Sequence, residues 1–121
     1  LTIDTDRGTI EGSPLGLDND RVAPLRRLFH TATPLVGGRD VLVVGGLDAS
    51  LTPTRSASLV RFEGGVATVV DQWEGLAAPR AGHQAVRIRG GLLGDGILVT
   101  GGLDSLRGVP TFAEGAEIYM P

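Results

Sequence analysis

The sequence predicts an all-β protein made of repeated strand units, and two observations carry that prediction. The segment "VLVVGGLDAS" at 41–50 recurs as "ILVTGGLDSL" at 97–106, with six of the ten residues identical. In addition, 19 glycines and seven prolines in 121 residues favour many short strands with tight connections over long helices. A repeat of this period in a chain of one domain's length indicates that each copy is one structural unit.

A second motif recurs together with the first. Arg27-x-x-His30 matches Arg80-x-x-His83 at an offset of 53 residues. The distance from the histidine to the following diglycine is 15 residues in the first copy and 18 in the second. The extra residues lie where "VGGRD" becomes "RGGLLGDG". A hairpin loop absorbs such an insertion, whereas a strand interior would lose its register.

Each copy is predicted to contain a series of antiparallel strands joined by glycine-containing turns. The short β-branched runs before the diglycines are typical of strands covered on both faces, so Leu42, Val43, Leu98 and Val99 are predicted to be buried. The predicted strands, in chain order, cover 29–36, 41–46, 56–62, 66–73, 83–88, 97–102 and 116–120. Four antiparallel strands in about 50 residues form the unit of a β-propeller blade.

Applied to the whole chain, this pattern predicts three parts. Residues 1–26 are the end of a preceding incomplete blade, 27–79 form a complete blade, and 80–121 form an incomplete blade lacking its fourth strand. Because propellers close with about four to eight blades, the rest of the ring is expected in a longer chain or in other copies. Open blade faces are equivalent to exposed core, so the isolated chain is expected to be poorly stable or to associate.

The order of these motifs resembles the bacterial-type kelch repeat, and the resemblance covers most of 27–121. In that family a diglycine closes the second strand, an aromatic residue lies on the third strand, and a Trp lies on the fourth. The resemblance therefore implies a segment of a kelch-type β-propeller built of four-stranded antiparallel blades. In the first copy Val60 stands where Tyr119 stands in the second, unless Phe62 substitutes for it. The positions that match the structural motif are Gly45, Gly46, Gly101, Gly102, Trp73 and Tyr119.

The resemblance also implies a non-catalytic binding or scaffolding module that presents the loops of one propeller face to a protein or glycan partner. Carried over by position, that face contains residues 47–54, residues 103–111 and both R-x-x-H motifs. The candidate partner-binding residues are Arg27, His30, Asp48, Arg80, His83, Asp104 and Arg107. The alternative is a propeller enzyme whose catalytic residues lie in blades outside this sequence. The resemblance alone slightly favours an extracellular or cell-surface location.

Several of these residues also have a structural interpretation, which stays open at this point. Asp48 and Asp104 follow the two diglycines, where an Asp readily accepts hydrogen bonds from nearby backbone N–H groups. His30 and His83 occupy equivalent positions, which indicates packing or hydrogen bonding at the start of a strand. Trp73 is predicted to be mostly buried against the following blade, and not to be an exposed stacking platform for a sugar.

Composition and motif context exclude several other function classes. A net charge of −3 provides no general attraction to nucleic acid, and no apolar run approaches the ~20 residues of a membrane span. The diglycines lack the Lys and the helix of a phosphate-binding loop. Asp4-Thr5-Asp6 and Asp18-Asn19-Asp20 lack the alternating ligands of a calcium loop, and the chain has no cysteine. We therefore predict no catalytic residue, metal or cofactor.

Overall fold

The computed structural model describes residues 2–4, 9–11, 26–91 and 94–121, and over these residues the chain is all-β, as predicted. Within the predicted first part, Thr2–Asp4 and Thr9–Glu11 pair as antiparallel strands. The remainder of residues 1–25, including Asp18-Asn19-Asp20, lies outside the described residues. The strands are β1 (Thr2–Asp4), β2 (Thr9–Glu11), β3 (Thr31–Pro34), β4 (Asp40–Val44), β5 (Ser56–Glu63), β6 (Val66–Glu74), β7 (Gln84–Gly91), β8 (Gly94–Thr100), β9 (Leu103–Ser105), β10 (Thr111–Phe112) and β11 (Ala116–Tyr119).

The first large sheet contains four antiparallel strands in the order β3-β4-β5-β6, so each strand pairs with its neighbour along the chain. The Gly64–Gly65 pair, with positive φ at both residues, forms the tight turn between β5 and β6 that the sequence predicts. Strand β4 lies inside the sheet and is almost wholly apolar, because both of its faces are covered.

The second large sheet repeats the first three strands of the first sheet, in the order β7-β8-β11. Val41 pairs with Val60 in the first sheet, and Ile97 pairs with Tyr119 in the second. Since Val41 and Ile97 are equivalent in the sequence repeat, this register makes Val60 the equivalent of Tyr119. Phe62 is exposed and lies two residues further along β5, so it does not substitute for Tyr119.

The core lies between the two large sheets. Its members are supplied by β4, β5 and the β6–β7 connection on one side and by β8 on the other, namely Leu42, Val44, Ala57, Leu76, Ile97 and Val99. Partly buried Trp73 and Tyr119 extend this cluster toward the outer strands. Burial of these side chains holds the two sheets together, because apolar area removed from water contributes about 25 cal/mol per Å².

Three of the four strand residues predicted to be covered are buried, and the fourth corrects the prediction. Leu42, Val43 and Val99 are buried, whereas Leu98 keeps intermediate exposure. Leu98 points away from the first sheet, toward the face of the second sheet that the described residues leave open. The equivalent side chain in the first sheet, Leu42, is buried because the second sheet covers it.

Trp73 makes the predicted contact with the second sheet, but it is only half-buried. Its ring centroid lies 6.0 Å from that of Tyr119, with the ring planes tilted by 37°. Because β6 is an edge strand of its sheet, one side of the indole stays open to solvent. Trp73 is therefore an aromatic contact between the sheets and not a fully enclosed core residue.

We expect Trp73→Ala to lower the free energy of unfolding by about 2 kcal/mol, less than the ~3–5 kcal/mol of a fully buried ring. Urea denaturation followed by circular dichroism measures this change. In a double-mutant cycle with Tyr119→Leu, the two rings should show a coupling of about 0.5–1.5 kcal/mol. Additive effects of the two substitutions would show that contact between the two rings does not stabilise the packing of the sheets.

Candidate functional site

One end of the two sheets carries the long connections, and we call this end the loop face. It contains the β4–β5 connection (45–55), the β8–β11 connection (101–115) and the two R-x-x-H segments (26–30 and 80–83). The opposite end carries tight turns such as 64–65. The loop face is thus the same set of segments that the sequence predicts for partner binding.

Backbone hydrogen bonds join these segments into one surface across both sheets. The Gly46 N–H donates to the Arg80 carbonyl over 2.7 Å, and the Gly82 N–H donates to the Phe29 carbonyl over 2.9 Å. A further bridge pairs Ala81 with Leu103. Because each repeat is bonded to the next through the main chain, the loop face is a rigid platform for the side chains it carries.

Arg80 is buried, with 1% of its surface exposed. Its Nε donates to Glu117 Oε2 over 3.0 Å, Nη1 donates to the Gly101 carbonyl over 2.9 Å, and Nη2 donates to the Glu114 carbonyl over 3.0 Å. This guanidinium therefore ties the R-x-x-H segment to the diglycine and to β11 of its own repeat. Arg80 presents no surface to a partner, so its candidate role in binding is not carried forward.

Arg27 has the equivalent structural role in the first repeat. Its Nη1 donates to the Gly45 carbonyl over 3.2 Å and to the Ser56 carbonyl over 2.8 Å, and its Nη2 donates to Ser58 Oγ over 2.6 Å. Each repeat thus contains an arginine that donates to the carbonyl of the first glycine of its diglycine. The sequence repeat revealed both arginines, but only the structure shows this shared function.

Glu117 links the Arg80 side chain to the main chain at Ala77. Its Oε1 accepts a hydrogen bond of 2.6 Å from the Ala77 N–H, while Oε2 receives Arg80. Burial raises the pKa of the Glu117 carboxyl, but the hydrogen bonds from Ala77 and Arg80 and the charge of Arg80 outweigh it. The net result is a pKa below the usual range, so Glu117 is ionised in this pair at neutral pH.

His83 is also buried, and it lies across the junction of the two repeats. Its Nε2 is 2.8 Å from Thr31 Oγ1, and Nδ1 is buried without a hydrogen-bond partner among the described residues. The ring packs against Gly45, where an added Cβ would be 2.6 Å from Cε1. His83 is therefore a contact between the repeats and is not available to a partner, whereas His30 is exposed.

Burial lowers the pKa of His83 below its usual 6.5, and the charges of Arg80 and His30 add to this effect, which the backbone of Val44 and Arg80 only partly offsets. The unfolded chain therefore binds a proton that the folded chain does not. We expect the free energy of unfolding to be highest above pH 6.5 and to fall as the pH drops through 6.5 toward the lower folded pKa. Denaturation at a series of pH values measures this slope.

The matched variant for this prediction is His83→Gln, which keeps a polar group near Thr31 but cannot titrate. The free energy of unfolding of this variant should no longer fall as the pH drops below about 6.5, the usual pKa of histidine. If the free energy of unfolding of His83→Gln depends on pH as strongly as that of the unmodified chain, another group is responsible for the pH dependence.

The remaining candidate residues are exposed or lie in the loops. Asp48 Oδ1 accepts hydrogen bonds from the Ser50 N–H (2.8 Å) and the Thr52 N–H (3.1 Å), which confirms its turn function. The Asp104 carboxylate accepts a hydrogen bond from the Thr111 hydroxyl across the β8–β11 connection. Arg107 is exposed in the same connection. These residues lie on the loop face, but the structure does not bring them together into one polar cluster.

The loop face also carries apolar side chains that the sequence analysis did not identify as candidates. A groove of about 280 Å³, which we call the apolar groove, lies where the two repeats meet. Its lining consists of Phe29, Leu47, Ala81, Gly82, Leu103 and Leu106. Large apolar side chains that stand exposed on the surrounding loops are Leu28, Leu51, Val109 and Phe112. Exposed apolar residues grouped in this way are typical of interaction surfaces.

Two of these exposed residues are held in a strained backbone conformation. Among the described residues, Phe29 and Leu51 are the two non-glycine residues with positive φ, both at 57°. In the second repeat the position equivalent to Phe29 is Gly82, which takes the same conformation at φ 69° without strain. The offset of the R-x-x-H motif pairs these two positions, so the sequence contained a signal for this feature.

Comparison with protein-family models finds no match to this chain, and comparison with curated proteins finds no similar relative. Over the described ranges, the structure shows no group of three or more His, Cys, Asp or Glu side chains that could hold a metal ion. It also shows, for those same residues, no helix with the length and hydrophobicity needed to cross a membrane.

Proposed function

We propose that this chain is a segment of a kelch-type β-propeller and a non-catalytic binding module whose loop face contacts a protein partner. The resemblance to kelch repeats is supported by two sheets with the same strand order and the same register around equivalent residues. It is further supported by the diglycines, each of which contacts the R-x-x-H segment of its own repeat. Paired sheets with long loops at one end suit a scaffold for binding.

The observation that carries the binding proposal is the conformation of Phe29. This ring is 67% exposed and its backbone has φ 57°, a conformation that costs a residue with a side chain roughly 1–2 kcal/mol. Gly82 shows that glycine fits the equivalent position. A strained, exposed aromatic residue destabilises the isolated fold, and such strain is characteristic of functional sites. Contact between the Phe29 ring and a partner is a functional reason for a strained residue at this position.

The chemistry of the apolar groove favours a protein partner over a glycan. Its six lining residues have apolar side chains or none, so the hydroxyls of a sugar would lose water without gaining hydrogen bonds from them. An aromatic or aliphatic side chain of a partner loses only apolar contact with water when it enters. Interfaces between proteins depend on a few such anchors in desolvated pockets. A protein segment with one apolar anchor is therefore the proposed ligand.

Panning a random peptide library against the chain tests the proposal. We expect the enriched peptides to share an aromatic or aliphatic anchor and to lose at least about tenfold in affinity toward Phe29→Gly, a change of about 1.4 kcal/mol. The control variant is Val66→Ser, which removes an exposed apolar side chain beside the 64–65 turn at the opposite end of the sheets. Peptides that bind Phe29→Gly and the unmodified chain equally would contradict the proposal.

The stability of the variants separates lost binding from lost folding. Phe29→Gly should be at least as stable as the unmodified chain, because glycine relieves the strain at φ 57°. Phe29→Ala keeps that strain and should be about 1 kcal/mol less stable than Phe29→Gly. Thermal and urea denaturation of the two variants measure the difference. A Phe29→Gly variant that is strongly destabilised would show that the ring is a structural residue.

A further inference from the structure

The first sheet holds the R-x-x-H segment of the second repeat on one of its faces, which we call the receiving face. This face is built by alternate residues of β3, β4 and β5 together with the first glycine of the diglycine. Gly45 contacts the Arg80 carbonyl and the His83 ring, and Thr31 Oγ1 is 2.8 Å from His83 Nε2. On the first sheet, this face therefore binds the R-x-x-H segment beside the core side chains of β8.

The second sheet has the same receiving face at equivalent positions. The strand registers pair Thr100 with Ala116 as they pair Val44 with Ala57. The repeat offsets then make Gly101 the equivalent of Gly45 and Gln84 the equivalent of Thr31. Apart from Thr100 in place of Val44 and Gln84 in place of Thr31, the second receiving face keeps the small and apolar character of the first.

The two receiving faces differ in what covers them. A Cβ added at Gly45 would lie 2.5 Å from the Arg80 carbonyl oxygen, whereas a Cβ added at Gly101 meets no atom of the described residues within 4 Å. Likewise Ala57 is 3% exposed, whereas the equivalent Ala116 is exposed. On the same side of the second sheet, Ile118 and Met120 are exposed apolar residues packed over Gly96.

We propose that the receiving face of the second sheet is a binding site for a further R-x-x-H segment of this repeat type. The established interface between the repeats continues onto this face through the same diglycine and the same register. Gly101 leaves room for an incoming imidazole, as Gly45 does for His83, and the Gln84 side chain replaces Thr31 as its hydrogen-bond partner. The Gly102 N–H takes the position of the Gly46 N–H, which donates to the Arg80 carbonyl.

The probe for this site is a synthetic peptide with the sequence of residues 74–88, "EGLAAPRAGHQAVRI", added to the isotopically labelled chain. We expect NMR shift changes at Gly101, Gly102, Ala116 and Ile118, with a Kd of about 1 mM or tighter. A control peptide carries Ala in place of the residue that corresponds to His83. It should bind at least tenfold more weakly, because the His83 imidazole contacts Gly45 and Thr31 on the first sheet.

A matched pair of variants of the chain identifies the surface. Ala116→Arg places a charge on the receiving face and should abolish peptide binding, whereas Val66→Arg, on the outer β5–β6 hairpin, should leave it unchanged. The NMR spectrum of each variant shows whether it folds. The proposal would be overturned if the peptide shifted only resonances of the first sheet, or if the control peptide caused shifts of equal size. It would also be overturned if the peptide caused no shifts at the highest concentration at which it dissolves.

Two further outcomes are decisive. Self-association that Ala116→Arg abolishes, but that the peptide does not inhibit, would show that a different surface of a second copy occupies the face, and the proposal would be wrong. Phe29→Gly should leave peptide binding unchanged, because Phe29 lies on the loop face and not on the receiving face. The proposal does not rest on the loop-face function, and failure of either leaves the other intact.

Discussion

Replacing Arg80 with Met is expected to lower the free energy of unfolding by about 3 kcal/mol, because the substitution removes three hydrogen bonds that the buried guanidinium donates. The Glu117 carboxylate loses its ion pair with Arg80, and the carbonyls of Gly101 and Glu114 lose a hydrogen bond each. Methionine fills a similar volume, so the loss arises from unpaired polar groups and not from a cavity. Urea denaturation measures the change.

The control for Arg80 is the same substitution at an exposed ion pair. Arg39 and Glu63 are 3.0 Å apart, with side chains 54% and 63% exposed. Arg39→Met should therefore change stability by less than about 1 kcal/mol. An effect at Arg80 no larger than the effect at Arg39 would mean that the guanidinium does not join the segment to β11.

Replacing Gly45 with Ala is the second substitution with a large expected effect, about 3 kcal/mol of destabilisation. The positive φ of 64° contributes strain of roughly 1–2 kcal/mol, and the new methyl group collides with the Arg80 carbonyl and the His83 ring. A backbone carbonyl cannot move aside as the end of a flexible side chain can. The junction between the repeats would have to open.

Gly101→Ala is the matched control, because it introduces the same residue at the equivalent position of the other repeat. Its φ of 77° imposes similar strain, but in the part of the chain that the structure describes the added methyl meets no atom within 4 Å. We expect a loss of about 1 kcal/mol, so the difference between the two variants isolates the contact with the R-x-x-H segment. Equal losses in the two variants would show that backbone strain alone explains the glycines.

Both predictions concern the R-x-x-H segment of the second repeat, which lies between the two sheets. Arg80 ties the R-x-x-H segment to its own repeat, and Gly45 lets that segment approach the preceding repeat. The apolar groove is built directly on this contact between the repeats, since Ala81 and Gly82 line it together with Phe29. The stability of this contact therefore determines whether the proposed binding surface exists.

Much of the fold was predictable from local patterns. The strand positions followed from apolar runs such as 41–46 and 97–102, and the Gly64–Gly65 turn followed from its two glycines. The equivalence of Gly45 with Gly101 was also visible, because it depends only on the order of residues along the chain. Secondary structure and repeats are properties of adjacent residues, so the sequence alone determined them.

The exposure of the candidate residues was not predictable in the same way. Arg80 and His83 had the residue types and the loop position of a binding site, yet both are buried by contacts with residues far away in the chain. Leu98 and Leu42 have the same local sequence and different burial, because within the described ranges only the sheet of Leu42 has a neighbour on that side. Burial depends on what packs against a face, and a repeated motif does not specify that.

By itself, the sequence therefore determined an all-β chain in which one strand unit is written twice. Only the tertiary structure decided that the arginine and histidine repeated in the second unit hold the units together, while Phe29 stays exposed beside an apolar groove. The physical reason is that strands form from the alternation and branching of neighbouring side chains. Whether a side chain meets water or another sheet is settled when the two units pack against each other.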